Sequence, residues 1–243
     1  MPVDYSRRAR DYDEVRADDR TDREFWVLGL MELGRIAPGD RVLDLGAGTG
    51  RFASLLHPTN RVIALDPSVE MLTVARGKAP FACVRGDGQR LPFRRDSFDV
   101  TIAVMVLQHL AHFEAAIREA ARIAPRIVIA TSDLSTRRVG ILEEAFPSLL
   151  SVDRNRFPQV EAIVASLKAA GFGRVRVERR PLVRTLSVER QLDRVRRKYL
   201  STFDLLPPGE YERGLGFLER EMPRRFGDAF ELVSEITFVA GTR

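Results

Sequence analysis

The chain has 243 residues, of which 44% are hydrophobic, and its 39 basic and 34 acidic side chains leave a formal net charge of +5. This length predicts one domain with a modest appendage, and no apolar run approaches the length of a membrane span. The single cysteine, Cys83, excludes a disulfide framework, and the three histidines lack partners at metal-ligand spacing, so no metal site is expected. The polar first residues do not resemble a signal peptide, and we expect a cytoplasmic protein.

Arginine carries almost all of the positive charge, because only three of the 39 basic residues are lysine. The arginines are interleaved with acids, as in Glu219-Arg-Glu221, a pattern typical of a solvated, ion-paired helix surface. The densest basic run is Arg194-Val-Arg-Arg-Lys198, and it keeps nucleic-acid binding open as a minor alternative.

The first predicted strand begins at Arg41 and leads through Asp44 into a turn with glycines at positions 46, 48 and 50. Glycine tolerates positive φ and lets a ligand approach the backbone, and a helix is predicted to begin near Gly50. The dinucleotide fingerprint G-x-G-x-x-G would need a glycine where Arg51 stands, and Asp44 would repel a diphosphate. The turn favours a ligand with a cationic amino group, although a tight turn without any ligand is the alternative.

The next two predicted strands also lead to an acid. The second strand, residues 61–66, places Asp66 twenty positions after Gly46, the spacing at which a carboxylate meets a ribose diol in nucleotide-binding βαβ units. Alternatively, Asp66 only helps to begin the following helix. The third strand, residues 81–85, is followed by Asp87. Three acids are therefore expected at the carboxyl ends of three successive strands.

The remaining sequence continues to alternate between strands and helices. It predicts strands over residues 100–106 and 126–132, helices over 113–123 and 158–171, and an irregular helical connection over 137–151. Strand six is predicted over 174–178 and the last strand over 235–240. Between these two strands, apolar residues recur at helical spacing at positions 188, 192, 195 and 199 and again at 211, 215, 218 and 222. This pattern predicts an insertion of two helices.

Five segments occur in an order and at spacings that resemble those of a known family. They are Leu43-Asp-Leu-Gly-Ala-Gly-Thr-Gly50, Leu65-Asp-Pro-Ser68, Gly86-Asp-Gly-Gln-Arg-Leu-Pro-Phe93, Ser97-Phe-Asp99 and Val106-Leu-Gln-His-Leu110. They look like the ordered motifs of the class I S-adenosylmethionine-dependent methyltransferases, in the type 11, ubiquinone-biosynthesis-like branch of small-molecule enzymes. The resemblance implies an α/β fold with a Rossmann-like, doubly wound sheet of seven mostly parallel strands, an antiparallel last strand and N-terminal helices.

The resemblance also implies which residues hold S-adenosyl-L-methionine, whose product is S-adenosyl-L-homocysteine. The methionine portion would lie against Asp44, Gly46, Ala47 and Gly48, the ribose on Asp66, and the adenine against Asp87, Gly88 and Gln89, while Pro67 and Met71 would lie against the adenine or the ribose. Ala103 and Val104 would offer a backbone carbonyl to the ammonium group. Carboxylates and carbonyls suit this ligand, because it carries a sulfonium and an ammonium group but no phosphate.

Two further sets of residues are interpreted through the resemblance. Tyr12 and Arg16 lie four apart on a predicted N-terminal helix and would face the cofactor, although a solvated helix is the alternative. His109 occupies a position where this branch often has a histidine that faces the acceptor, and it would act as a base if the acceptor carries a proton. Alternatively, His109 fixes its own loop by hydrogen bonding.

We therefore expect a single methyltransferase domain over residues 1–243. Residues 1–36 would form an N-terminal helical cap, residues 37–182 with 233–243 the Rossmann-like core, and residues 183–232 a helical insertion or lid. The expected reaction is in-line transfer of a methyl group to an O, N or C atom of a small-molecule acceptor, by a monomer or homodimer. The alternatives are an RNA or protein methyltransferase and a non-catalytic S-adenosylmethionine-binding homologue.

Overall fold

The computed structural model describes residues 20–243, with side chains from Asp22 onwards. Its helices are α1 (Arg20–Gly34), α2 (Arg51–Leu56), α3 (Val69–Arg76), α4 (Phe113–Ile123), α5 (Ile141–Ala145), α6 (Leu149–Arg154), α7 (Val160–Ala169), α8 (Val188–Arg196) and α9 (Glu210–Phe226). Its strands are β1 (Arg41–Leu45), β2 (Arg61–Asp66), β3 (Ala82–Arg85), β4 (Val100–Val104), β5 (Arg126–Thr131), β6 (Arg174–Ser187) and β7 (Ala229–Thr242). Short 3-10 helices cover Leu107–His109 and Ser201–Asp204.

The strands form one sheet in the order β3-β2-β1-β4-β5-β7-β6. Strands β1 to β5 are parallel, whereas β7 runs antiparallel to both of its neighbours, β5 and β6. The strand order reverses at β1 and β4, and in such doubly wound sheets ligands bind outside the carboxyl ends of the strands at that point. The predicted Rossmann-like fold, with its antiparallel last strand and its helical insertion, is confirmed.

Helices cover both faces of the sheet, as a parallel sheet requires. On one face, α1 packs against the strands through Trp26 and Leu30, beside α2 and α3. On the other face, Ile117 of α4 and Leu167 of α7 are fully buried against the same strands. Every residue of β4 is buried, which explains why the central strands are near-continuous apolar runs in the sequence.

The last two strands are longer than the sequence predicted. β6 continues to Ser187 and β7 begins at Ala229, and the two strands pair along their whole lengths. In the added part of β6, the less exposed face mixes Arg180 and Arg184 with two leucines, and Pro181 interrupts the opposite face, so the sequence lacks the regular alternation that predicts a strand. Proline is tolerated because β6 is an edge strand. Residues 183–187 and 229–232 therefore belong to strands, and the helical part of the insertion is Val188 to Phe226.

The two helices of the insertion are confirmed, and they pack on the segment that follows β5. Together they bury a third hydrophobic cluster around Phe146 and Phe203. Helix α9 can lie close to Phe146 only because residue 214 is glycine. An added Cβ at Gly214 would lie 2.2 Å from a ring carbon of Phe146. Since β6 runs parallel to β5, its end and the insertion lie at the carboxyl edge of the sheet.

Among the helices of residues 20–243, not one combines the length and apolar character that a membrane span requires.

Candidate functional site

Three aspartates follow one another along the carboxyl edge of the sheet, where β3, β2 and β1 end side by side. Asp44 lies near the end of β1, Asp66 ends β2, and Asp87 follows β3. We call this row of Asp44, Asp66 and Asp87 the acidic edge. Its position agrees with the expectation that acids close three successive strands.

Asp44 is the most deeply buried of the three, with a relative exposure of 1%. One of its carboxylate oxygens, Oδ2, accepts a hydrogen bond from the backbone N–H of Ala53 at 3.0 Å, in the first turn of α2. Burial raises the pKa of Asp44 to about 7, the hydrogen bond from Ala53 opposes the shift, and the nearby charge of Asp66 adds to it. In the described structure Asp44 has no positively charged partner, so a cationic ligand group beside it would stabilise the ionised carboxylate.

Asp66 links the glycine turn to the start of α3. Its Oδ2 accepts from the backbone N–H of Gly48 and its Oδ1 from that of Ser68, each at 2.9 Å. Ser68 in turn caps α3, because its hydroxyl accepts from the N–H of Met71. Burial also raises the pKa of Asp66 despite these two hydrogen bonds. Its predicted structural role at the helix start is thus present, and it is compatible with a ligand on the remaining lone pairs.

The three glycines of the turn have positive φ angles but different surroundings. An added Cβ at Gly46 would lie 2.2 Å from Val106, and one at Gly50 would lie 2.7 Å from Phe81, so packing excludes side chains at both positions. At Gly48, no described atom would lie within 4 Å of the Cβ, which leaves an open cradle.

Four backbone N–H groups of the turn are already used within the protein, contrary to the expectation that a ligand lies on the backbone of the turn. Those of Gly46 and Ala47 donate to the carbonyl of Leu65, that of Gly48 donates to Asp66, and that of Gly50 donates to Ala47. A phosphate-binding loop needs such groups to be free for the ligand. The turn is therefore no diphosphate site, and it fits a ligand that is held by carboxylates.

The remaining residues of the predicted cofactor site lie at the same edge. Asp87 is exposed, and its Oδ1 accepts from the backbone N–H and the side-chain amide of Gln89. Gly88 is buried against Leu45. The other predicted residues are Pro67, which is exposed after β2, Met71, which is buried in α3, and Ala103 and Val104, which are buried at the end of β4. Tyr12 and Arg16 lie outside the described residues.

A cavity of about 560 Å³ adjoins the acidic edge, and we call it the basic cavity. It begins beside the glycine turn at Arg51 and after β4 at Met105, and it extends beneath the insertion. Within residues 22–243 its charged lining consists of six arginines and three acids, namely Arg51, Arg137, Arg138, Arg184, Arg190, Arg194, Asp22, Asp153 and Glu235. Its apolar lining includes Trp26, Leu142, Phe157 and Leu200. None of the three aspartates of the acidic edge lines it.

His109 and Gln108 line the basic cavity just beyond β4. The side-chain amide of Gln108 donates to the carbonyl of Met105 at 2.7 Å, and its Nε2 lies 3.3 Å from His109 Nε2. On the other side of the ring, Nη2 of Arg156 lies 3.5 Å from His109 Nδ1. Oε1 of Gln108 is buried and has no hydrogen-bond partner in the described part of the chain. This orphaned acceptor suits a ligand that donates a hydrogen bond, such as an ammonium group.

Sequence reasoning missed a polar cluster next to His109. Asp153 accepts from Nη1 of Arg137 at 2.7 Å and from the hydroxyl of Thr202 at 2.6 Å, and Arg156 lies beside it. These residues come from the segment after β5 and from the insertion, which have no regular periodicity in common. No sequence signal could have found the cluster. Groups of His, Cys, Asp and Glu that could hold a metal ion are absent from the described residues.

Solved structures with the same fold include methyltransferases. A crystal structure described as a methyltransferase from an antibiotic biosynthesis pathway of Anabaena variabilis has a TM-score of 0.76 and 24% identity, and the match covers 94% of this chain and 99% of that chain. The phosphoethanolamine N-methyltransferase 2 of Haemonchus contortus, solved in complex with S-adenosyl-L-methionine, has a TM-score of 0.64 and 16% identity. That match covers 98% of this chain and 57% of that chain. At these identities the likeness concerns the fold.

Sequence comparisons agree with the structural ones. A family model described as a methyltransferase domain matches residues 43–126. A ubiquinone/menaquinone biosynthesis C-methyltransferase, UbiE of Ectopseudomonas mendocina, is 35% identical over 111 residues, which are 40% of this chain and 43% of that protein. The chain thus spans less than half of the UbiE length. The malonyl-[acyl-carrier protein] O-methyltransferase of Methylococcus capsulatus is 32% identical over 191 residues, which are 75% of this chain and 69% of that protein. On the strength of this match and of the acidic edge, the chain belongs to the class I S-adenosylmethionine-dependent methyltransferases, in their type 11 branch.

Proposed function

We propose that S-adenosylmethionine lies along the acidic edge and that the methyl acceptor enters the basic cavity beside it. The observation that carries this proposal is the row of three aspartates next to a glycine turn whose N–H groups are already engaged. Such a site repels phosphates and attracts a cationic nucleoside. The open space at Gly48 and the orphaned Oε1 of Gln108 provide room and a hydrogen-bond acceptor for that ligand.

Each part of the donor has a proposed partner. Asp44 faces the ammonium group, because it is the buried carboxylate with the most to gain from a positive charge. Asp66 takes the ribose hydroxyls, and Asp87 takes the adenine amino group. The lining residues around them are Gly46, Ala47, Gly48, Pro67, Met71, Gly88, Gln89, Ala103 and Val104, with Tyr12 and Arg16 proposed as a cover from the N-terminal segment.

The chemistry requires little from the protein beyond alignment and the exclusion of water. When bound, the donor supplies a methyl group on a sulfonium, whose carbon–sulfur electron pair stays on sulfur as the acceptor bonds to carbon. We assign His109 as the base that removes a proton from a hydroxyl or amine acceptor. Nη2 of Arg156 lies against Nδ1 of the ring and the amide nitrogen of Gln108 lies against Nε2, so the acceptor must replace one of these two contacts before the ring can take its proton.

We propose that the insertion selects the acceptor, because it shares the third hydrophobic cluster with the segment after β5 and supplies part of the cavity wall. Leu200, Ser201 and Thr202 line the cavity from the insertion, opposite Met105 and Gln108 from the core. The malonyl relative's name describes an O-methyltransferase and the UbiE name a C-methyltransferase, so either kind of acceptor atom suits this branch. A cytoplasmic location and a monomeric or homodimeric state stay predictions.

A small-molecule acceptor fits the charge distribution better than RNA does. In the densest basic run, Arg196 pairs with Glu189 and Glu219, Arg197 with Asp193, and Lys198 with Asp204. These groups are thus already paired with acids of the same chain. RNA binding depends on arginines and lysines that are available for phosphates.

Parallel titrations with S-adenosylhomocysteine and NAD test the donor assignment. We expect S-adenosylhomocysteine to bind at one site per chain and NAD to give no measurable heat in isothermal titration calorimetry. Incubation with S-adenosylmethionine and a library of small hydroxy, amino and carboxylic compounds should then yield S-adenosylhomocysteine and methylated product. Binding of NAD without binding of S-adenosylhomocysteine would contradict the proposal, as would methylation of RNA alone.

A further inference from the structure

Two arginines share one carboxylate beside the basic cavity. Arg137 and Asp153 line the cavity, whereas Arg156 lies behind Asp153 and contacts the lining residue His109. The side chain of Asp153 is only 2% exposed, and its Oδ2 accepts from Nη1 of Arg137 at 2.7 Å. Its Oδ1 lies 3.5 Å from Nη1 of Arg156. Thr202 donates its hydroxyl hydrogen to the same Oδ1. Within the described part of the chain, no other carboxylate lies within ion-pair distance of Arg137 or Arg156, so the three charged groups carry a net charge of +1.

This surplus positive charge is largely removed from water. The side chains of Arg137 and Arg156 are 16% and 14% exposed. The other contacts of the Arg156 guanidinium are neutral oxygens, with Ser201 Oγ at 3.1 Å and Thr202 Oγ1 at 3.3 Å, and the ring of His109. A partly buried cation without a matching anion is unfavourable, and an incoming anion would remove the imbalance.

Among the described residues, the rest of the cavity lining also contains more arginines than acids. The whole described lining contains six arginines against three acids, whereas the adjoining acidic edge consists of aspartates. The site is therefore divided into a negative part and a positive part that meet between the glycine turn and His109. A cationic donor and an anionic acceptor would each find the complementary half.

We propose that the methyl acceptor is a small molecule with an anionic oxygen group, a carboxylate or a phosphate, that binds against Arg137 beside His109, where Arg156 supplies the unmatched positive charge from behind Asp153. The inference rests on the proposed function, since it assumes that the donor occupies the acidic edge. The apolar side chains of Leu142, Phe157 and Leu200 in the same lining fit an acceptor with an apolar body. Arg156 then determines specificity as a positioning residue, because its charge leaves Arg137 and Asp153 with a net positive partner.

The test measures ligand binding to the protein saturated with S-adenosylhomocysteine. The probes are octanoate, octyl phosphate and octanamide, which share an apolar chain and differ in the charge of the head group. Because hydrogen bonds to a charged group contribute more than neutral ones, we expect at least one anion to bind about tenfold or more tightly than the amide. The comparison of octanoate with octyl phosphate identifies which anion the site prefers.

The variant R156Q should reduce this anion preference to within about twofold, and R156K should restore part of it. R156Q should fold, because Asp153 keeps Arg137 and Thr202 as partners. The matched control is R154Q, which removes an exposed arginine at the end of α6 that makes no ion pair with Asp153. Circular dichroism and thermal unfolding report on folding in each case.

Four results of the anion and amide titrations would overturn the inference. They are equal binding of anions and amide, no measurable binding of either anion, an unchanged preference in R156Q, and an equal loss of preference in R154Q. A fall in S-adenosylhomocysteine affinity in R156Q as large as the fall in anion affinity would instead assign the arginine to the donor's carboxylate, which also overturns it. Failure of the wild-type protein to bind S-adenosylhomocysteine would refute the proposed function itself, so the two failures are distinguishable.

Discussion

Replacement of Asp44 by asparagine separates the cost of a buried carboxylate from its use in binding. Asparagine has nearly the same shape, and its Oδ1 can still accept the hydrogen bond that Asp44 takes from Ala53. The variant therefore removes the charge and little else. We expect D44N to be more stable than the wild type without ligand at neutral pH and above, and to bind S-adenosylhomocysteine more weakly.

The magnitude follows from the pKa of Asp44, which burial raises from 3.8 to about 7. Below about pH 4 the carboxyl is protonated in both the folded and the unfolded state, so it contributes no pH dependence. As the pH rises from about 4 to about 7, the unfolded state loses the proton first, and the free energy of unfolding falls by about 1.4 kcal/mol per pH unit. The full loss above pH 7 is up to about 4 kcal/mol, and D44N should not suffer it.

Urea denaturation of the ligand-free wild type and D44N at several pH values between about 5 and 8 measures this difference. The gap in unfolding free energy should widen with pH and level off near the pKa of Asp44. Calorimetry in buffers of different ionisation enthalpy should show that the wild type releases a proton when S-adenosylhomocysteine binds near pH 6, and that D44N does not. A constant gap across this pH range would refute the reasoning, because it would mean that Asp44 is ionised throughout.

Three further predictions concern the proposed site. D66A should weaken S-adenosylhomocysteine binding by about tenfold or more, measured by calorimetry. Its control is D99N, which removes an ion pair with Arg41 at the amino ends of β1 and β4 and should leave the affinity unchanged. G48A should fold and yet bind the cofactor poorly, because its Cβ enters the open cradle. G46A should instead unfold at a lower temperature, because its Cβ clashes with Val106. A G48A variant that is less stable than G46A would contradict this account of the packing. H109A should lower kcat with little change in S-adenosylhomocysteine affinity, and equal losses in both would remove its role as a base.

The donor half of the site could be predicted from the sequence because its parts are local. Asp44 and the glycines lie within one strand and one turn, and Asp66 and Asp87 each follow an apolar strand. Parallel neighbours in a doubly wound sheet bring such strand ends together without further information. The sequence did not reveal that the N–H groups of Gly46, Ala47 and Gly48 are used internally, since their acceptors, Leu65 and Asp66, belong to the neighbouring strand.

The acceptor half could not be predicted in the same way. Thr202 lies in the insertion and is separated in sequence by 46 positions from Arg156 and by 49 positions from Asp153, which it contacts. The added length of β6 was also missed, because an exposed edge strand is held by its pairing with β7 and not by an apolar pattern.

The sequence by itself determined the α/β alternation, the acids at the strand ends and the family resemblance, since each depends on the order of residues within single elements. The tertiary structure decided the depth of burial of Asp44, the open space at Gly48 and the pairing of two arginines with one carboxylate. These features depend on which side chains meet when distant segments pack. Burial and pairing set the charge of each half of the site, and so the electrostatic division between donor and acceptor follows from packing.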